Sequence, residues 1–124
     1  MIAEKTMTTE EVANRFNELA QSGDWNKIQD ELFAENATSI EPSNSPGMKT
    51  VEGLDAIKQK GKQFGEMLEE MHGGYSNAPQ VAGRYFAVAM GMDCTMKGMG
   101  RQKMDEIALY EVKDGKIVKE QFFY

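Results

Sequence analysis

Glu41 stands at the end of a short alternation, Ala37-Thr38-Ser39-Ile40-Glu41, directly before Pro42. A carboxylate can act as a base only if it reaches the proton and its pKa is raised toward the working pH, which an apolar cavity achieves by desolvating the charge. At a strand end the same residue can equally be a solvated surface group. Asp93 belongs to a strand beginning at Arg84, whose two-residue period puts Phe86, Val88, Met90 and Met92 on one face and Ala87, Ala89, Gly91, Asp93, Thr95 and Lys97 on the other. The second face passes from small side chains, which leave room for a ligand, to polar ones. An exposed Asp93, or one paired with Lys97, is the plainer alternative. His72 is the sole imidazole, the one side chain whose unperturbed pKa lies near neutrality. At a helix C-terminus it can serve a substrate or merely face the helix dipole and solvent. In the last segment Val118, Glu120, Phe122 and Tyr124 alternate with Lys119, Gln121 and Phe123. A buried Glu120 needs a partner or a proton; Lys97 and Arg101 are the cations available for an ion pair.

Composition narrows the chemistry. A formal net charge of −6 argues against affinity built on phosphate contacts, so neither nucleic acid nor an anionic membrane is an expected partner. Cys94 is the single cysteine, which excludes an intrachain disulfide and a four-thiolate zinc site. With one histidine and no EF-hand or His-x-x-x-His spacing, no metal or other cofactor is expected. The N-terminus turns polar before a signal-peptide core could form, and no apolar run approaches a membrane span, so a cytoplasmic location is expected. Ten methionines are many for 124 residues. They can be adaptable core filling or a compliant wall around an apolar ligand.

The elements that must position these groups can be read from spacing. Thr8-Thr9-Glu10-Glu11 has the form of a capping box, and Val12, Phe16, Leu19 and Ala20 follow as one apolar stripe until Ser22-Gly23. Asp24 can cap a second helix ending near Asn36, in which Trp25, Ile28 and Leu32 share a face. Residues 37–41 read as a short strand and residues 43–47 as a loop. Leu54 to Met71 reads as a long third helix, with Gly61 and Gly65 inside it explained by close approach to a sheet. After Gly73-Gly74 strands are expected near residues 75–82, 84–97, 102–113 and 116–124, the last two joined by an Asp114-Gly115 hairpin turn. There is no repeat and no linker. A single domain over residues 1–124, of the segregated α+β class, follows.

This order, with Gly23-Asp24 between the first helices, Ala37 to Pro42 as the strand and Val112-Lys113-Asp114-Gly115-Lys116-Ile117-Val118 near the close, resembles the nuclear transport factor 2-like superfamily, and within it the SnoaL-like and ketosteroid isomerase-like proteins. The resemblance implies a cone-shaped α+β barrel of cystatin-like form: three N-terminal helices against a curved, mainly antiparallel sheet, with a pocket for a small apolar organic ligand and a homodimer through the outer sheet face. It places Glu41 where the isomerases carry their proton-moving carboxylate. It puts Phe16 where they carry a donor tyrosine, and Ile107, or Asp105 with a two-residue shift, where they carry a protonated aspartic acid, so the tyrosine donor is missing and a true steroid isomerase is not expected. It turns the Ala87, Ala89, Gly91, Asp93, Thr95 and Lys97 face inward, and likewise Val118, Glu120, Phe122 and Tyr124. Glu106 and Tyr110 would then face a partner subunit, unless a β-bulge reverses them.

The expected activity is a proton transfer on a small apolar carbonyl compound, of isomerase, cyclase or dehydratase type, needing no cofactor. Glu41, His72 and Asp93 are the catalytic candidates; Phe16, Lys97, Glu120, Phe122 and Tyr124 would contact the ligand. Because fold does not determine function, a noncatalytic ligand-binding or dimeric interaction module is the competing reading.

Overall fold

A computed structural model describes residues 6–45 and 47–124. Helices α1 (Thr9–Gln21) and α2 (Trp25–Leu32) precede strand β1 (Phe33–Ile40), and β2 (Val51–Glu52) leads into α3 (Leu54–Met67). Strands β3 (Leu68–Ser76), β4 (Gln80–Ala82), β5 (Tyr85–Met96), β6 (Gly100–Lys113) and β7 (Lys116–Phe123) complete the chain. The sheet order is β2-β1-β7-β6-β5-β3, with β4 also on β5; β1 runs parallel to β7 and the other pairs are antiparallel. The sheet is curved and does not close, and the helices cover one of its faces, the α+β arrangement expected. Among the described residues no helix is long and apolar enough to cross a membrane.

The capping box at Thr8 forms: its side chain accepts from the Glu11 amide at 3.1 Å, and the Thr8 amide donates to Glu11 Oε1 at 2.9 Å. Asp24 stands at the start of α2 but its side chain makes no capping bond. Helix α2 ends at Leu32 rather than near Asn36, because Phe33 already pairs with Ile117 and the segment is taken into the sheet. Helix α3 ends at Met67, not Met71, for the same reason: Leu68 pairs with Met96 and Met71 with Cys94, so ladder bonds replace helical ones. The hairpin turn is as read, with Asp114 and Gly115 at φ of 51° and 76°.

The core lies where α1 and α2 meet the sheet. Phe16 packs against Phe86 and Tyr110 with ring centroids 5.4 and 4.8 Å away, and Phe86 stacks on Tyr110 at 4.9 Å. Phe16, Phe86 and Tyr110 are all fully buried, with Val12, Ile28, Leu32, Ile57 and Ile117 around them.

The ring cluster corrects the assignment of sheet faces. The helix-covered face of β5 carries Phe86, Val88 and Met90, and further along Cys94 and Met96 are also buried. Ala87, Ala89, Gly91, Asp93 and Thr95 point the other way. On β6, Ala108 and Tyr110 are buried while Ile107 is 45% exposed, so Glu106 and Tyr110 face the helices and not a partner subunit. On β7 a register shift between Glu111 and Val112 makes Ile117, rather than Val118, the inward residue, after which Glu120 follows on the same side.

The glycines of α3 also differ from expectation. A methyl group on Gly65 would meet nothing within 4 Å, and one on Gly61 would approach only the Gln29 side-chain amide at 3.9 Å. Neither glycine admits a close neighbour. Gly91 does: a Cβ there would lie 2.6 Å from a Tyr75 ring carbon and 2.7 Å from both Asp105 Oδ1 and the Met104 carbonyl. Its bareness lets Tyr75 cross the strand and donate to Asp105 Oδ1 at 2.7 Å. In urea unfolding, Gly65→Ala should therefore raise stability by about 1 kcal/mol through helix propensity. Gly91→Ala should lower it by about 1–3 kcal/mol, because the Met104 carbonyl is backbone and cannot swing aside.

Candidate functional site

Residues paired across neighbouring strands share a face, so the helix-covered side can be followed in rungs. One rung runs Phe86, Tyr110, Glu120 and Ser39 over β5, β6, β7 and β1. The next carries Val88, Ala108 and Phe122. In the third, Ser76 pairs with Met90 and Met90 with Glu106; Tyr124 follows Phe123, the partner of Ile107, and so arrives beside Glu106. The rungs pass from aromatic and aliphatic side chains near α1 to a patch of carboxyls and hydroxyls near α3. Beyond Glu106, Met92 pairs with Met104 and continues the same face in thioethers, Met104 being partly open to solvent.

Helix α3 supplies the counter-charge. Lys60 falls one turn after the buried Ile57, which turns it onto the sheet, and it is itself buried. Its ammonium donates to Ser39 Oγ at 2.7 Å, to Glu41 Oε2 at 2.8 Å and to the Lys49 carbonyl at 3.2 Å, using the three donors an ammonium has. It also stands 5.7 Å from the centre of the Phe122 ring. Ser39 passes its own hydrogen to Glu120 Oε1 at 2.7 Å. The Tyr110 hydroxyl hydrogen-bonds the same carboxyl group. At the rim, Tyr124 donates to Glu41 Oε1 at 2.7 Å and its oxygen lies 2.8 Å from Ser45 Oγ, tying the segment after β1 to the end of β7.

Against this network Glu106 stands apart. It is half-buried and makes no hydrogen bond or ion pair to any described residue. Loss of water raises its pKa to about 7, with the Glu41 and Glu120 charges adding to the rise and Lys60 opposing it. Glu120 is also pushed up to about 7, chiefly by burial, against the lowering effect of its bond from Ser39 and of Lys60. Burial likewise raises Tyr124 to about 12, so its hydroxyl keeps its proton at neutral pH. The patch thus holds two carboxyls raised to about 7, Glu106 and Glu120, and two phenols, Tyr110 and Tyr124, that keep their protons at neutral pH. Among the described residues, no three His, Cys, Asp or Glu side chains are arranged to hold a metal ion.

The expected residues divide between the two faces. Glu41, Glu120, Phe122 and Tyr124 meet on the helix-covered side. Phe16 is on that side too, but it is sealed in the ring cluster. Asp93 and His72 are on the opposite side. Asp93 takes a two-pronged bond from Arg101 at 2.9 and 2.8 Å, which holds its carboxyl below the usual range. His72 Nε2 lies 2.8 Å from Thr95 Oγ1. Lys97 is exposed at the β5–β6 turn, where its amide bonds the Met67 carbonyl at 2.8 Å. Asp93, His72 and Lys97 therefore do not join Glu41. Lys60 and Ser39 carry no expectation from the sequence, and Glu106 and Tyr110, expected on the opposite face, stand on this one. Ala37, Ser39 and Glu41 share one parity along β1, and Glu106, Ala108 and Tyr110 share one along β6, so a buried member of each set could have pointed to the rest.

Glu120 gives a pH dependence with a definite sign. Its carboxyl titrates at about 7 when folded against an ordinary 4.5, so as pH rises the unfolded chain releases the proton first. The unfolded state binds fewer protons across that window, and stability falls with rising pH until the folded carboxyl has ionised too. The full linkage is on the order of 3 kcal/mol. Urea unfolding at about pH 5 and about pH 7.5 should show a steeper loss for the wild type than for Glu120→Gln, which cannot ionise.

The residues 7–124 match the SnoaL-like domain family model, and no curated protein matches significantly. A Mesorhizobium loti protein assigned to the SnoaL-like polyketide cyclases is 39% identical, superposes with a TM-score of 0.88, and aligns over 95% of this chain and all of its own. A Xanthomonas campestris protein with a cystatin-like fold is 19% identical, with a TM-score of 0.77 over 94% of this chain and 90% of its own. A Catenulispora acidiphila protein with a ketosteroid isomerase-like fold, solved with trimethylamine, is also 19% identical, with a TM-score of 0.70 over 94% of this chain and 87% of its own. At such identities the last two show the fold alone. With the family match spanning both sheet faces and all three helices, the chain belongs to the SnoaL-like family.

Proposed function

We propose that this protein catalyses proton transfer on a small apolar carbonyl compound, an isomerisation, cyclisation or dehydration, with Glu106 as the group that takes and returns the proton. One observation supports this above the others: Glu106 is a half-buried carboxyl of raised pKa with no partner among the described residues, set between Met90 and Tyr124 on the helix-covered face. A carboxyl that titrates near neutrality is present both as base and as acid, so it can remove a proton next to a carbonyl and deliver it elsewhere on the same molecule. Met92, Met104 and Phe122 give the ligand's apolar body compliant contacts. Tyr124 keeps its one hydrogen on Glu41 Oε1 and closes the rim beside Glu106. The reaction needs no metal or nucleotide. Glu41, the base expected from the resemblance, is occupied by Lys60 and Tyr124 and serves the architecture of the site.

The test is exchange of carbon-bound hydrogen for deuterium in a panel of apolar ketones and β-keto esters, followed by proton NMR in heavy water. Wild-type protein should accelerate exchange for at least one of them, and Glu106→Gln should slow it by about 100-fold or more. Equal rates for the two proteins would remove Glu106 from the reaction. Binding of the panel without exchange would leave a noncatalytic ligand carrier.

The uncovered sheet face supports a second reading, a homodimer. Tyr75, Ile107 and Phe123 are about half exposed there, at 47%, 45% and 49%. They border a shallow depression of about 220 Å³ lined by Tyr75, Ala89, Phe123 and the β6 segment 105–107; a larger one of about 470 Å³ lies beside Leu109 and Gln121. Light scattering should give twice the chain mass, and Ile107→Lys with Phe123→Lys should halve it. A monomeric mass for the wild type would end this reading.

A further inference from the structure

The buried cation at the centre of the site has more to do than balance one carboxylate. Lys60 reaches three oxygen atoms on two separate stretches of chain: Ser39 Oγ in β1, Glu41 Oε2 just after it, and the Lys49 carbonyl in the segment leading to β2. Each contact has a consequence one bond further out. With its oxygen taken by the ammonium, Ser39 must send its hydrogen to Glu120. With Oε2 taken, Glu41 offers Oε1 to Tyr124, which is anchored also by Ser45. The Lys49 contact holds down the far end of the segment that carries Ser45.

Two of the three inward carboxyls, Glu41 and Glu120, are thereby bound by groups that depend on Lys60, and Glu106 alone is outside its hydrogen bonds. We propose that Lys60 is a positioning residue: by committing Glu41 and Ser39 to fixed partners, it leaves Glu106 as the inward carboxyl free to exchange a proton with a ligand. This rests on the proton-transfer reading above. Lys60 touches no reacting atom in the scheme; it acts on Glu106 through space and through the arrangement of its neighbours. The groups facing Glu106 are Lys60 from α3, Glu41 at the end of β1, Tyr110 on β6, and Glu120 and Tyr124 from the β7 end. Across the sheet, the charge of Glu106 also reaches Tyr75 of β3. Lys60 is the only cation among them. Its removal should make Glu106 harder to ionise, and removal of Glu41 should do the opposite.

The experiment is a carbon-13 NMR titration of the glutamate side-chain carboxyls, with Glu106 assigned by its disappearance in Glu106→Gln. It needs no substrate. Lys60→Met should move the Glu106 midpoint up by about half a unit or more, and Glu41→Gln should move it down. Lys60→Arg should keep it close to the wild-type value, since charge and donors remain. If Lys60→Met alone does not fold because it strands Glu41, the double variant Lys60→Met with Glu41→Gln removes the pair together and should fold. Its midpoint should then lie above that of Glu41→Gln. A Glu106 midpoint that ignores Lys60 in either background would overturn the positioning role. An ordinary glutamate midpoint for Glu106 in the wild type would instead defeat the proton-transfer reading, so the two failures are told apart.

In the exchange assay the same role predicts a pH profile displaced upward in Lys60→Met, in step with the Glu106 midpoint. Loss of rate at every pH with no displacement would show Lys60 to be structural only.

Discussion

The site depends on a charge that has been taken out of water. Burying an ammonium costs several kcal/mol unless its donors are all used and a carboxylate is close. Lys60 meets both conditions, with three acceptors at 2.7, 2.8 and 3.2 Å and Glu41 as its counter-ion. A pair of this kind is weak evidence for stability, since well-packed apolar residues of similar volume often serve as well. What it does provide is direction. The ammonium has only donors to give, so every oxygen around it must turn its own hydrogen, or its spare lone pairs, outward. Ser39, Glu41, Glu120 and Tyr124 have their roles as donor or acceptor set by that one constraint.

The aromatic cluster is what makes the constraint bind. Phe16, Phe86 and Tyr110 fill the space between α1 and the sheet, and Tyr110 lies in the same rung as Glu120. Its ring belongs to the core while its hydroxyl belongs to the polar patch. Water is thus kept from one side of Glu120 by closely packed rings, and the carboxyl responds by holding its proton to about pH 7. Phe16, which has no hydroxyl to contribute, is part of this wall.

Much of the architecture was legible in the residues. The α1 stripe, the capping box at Thr8 and the Asp114-Gly115 turn are local patterns, and local patterns survive folding. Element ends were less legible, because at Phe33 and Leu68 the sheet competes with the helix and the ladder partners, Ile117 and Met96, are far away in sequence. Faces were the least legible. Side chains alternate with a period of two, so any one-residue offset in matching inverts a whole strand. It turned Asp93 inward and Glu106 outward, the reverse of their true sides, and the register shift at Val112 then put Ile117 where Val118 was expected.

The inversion has a chemical reason beyond counting. On β5 the small side chains Ala87, Ala89 and Gly91 suggested room for a ligand, yet Gly91 is bare because Tyr75 crosses over it to reach Asp105. Smallness there admits a neighbour from the same sheet. On the helix-covered face, burial along α3 falls off after Lys60, with Phe64 only half-buried and Met67 exposed. Two inward polar groups are left without a hydrogen-bond partner among the described residues, Ser76 Oγ and the Glu106 carboxyl, and both belong to the Met90 rung, so the incompleteness is local to one end of the face.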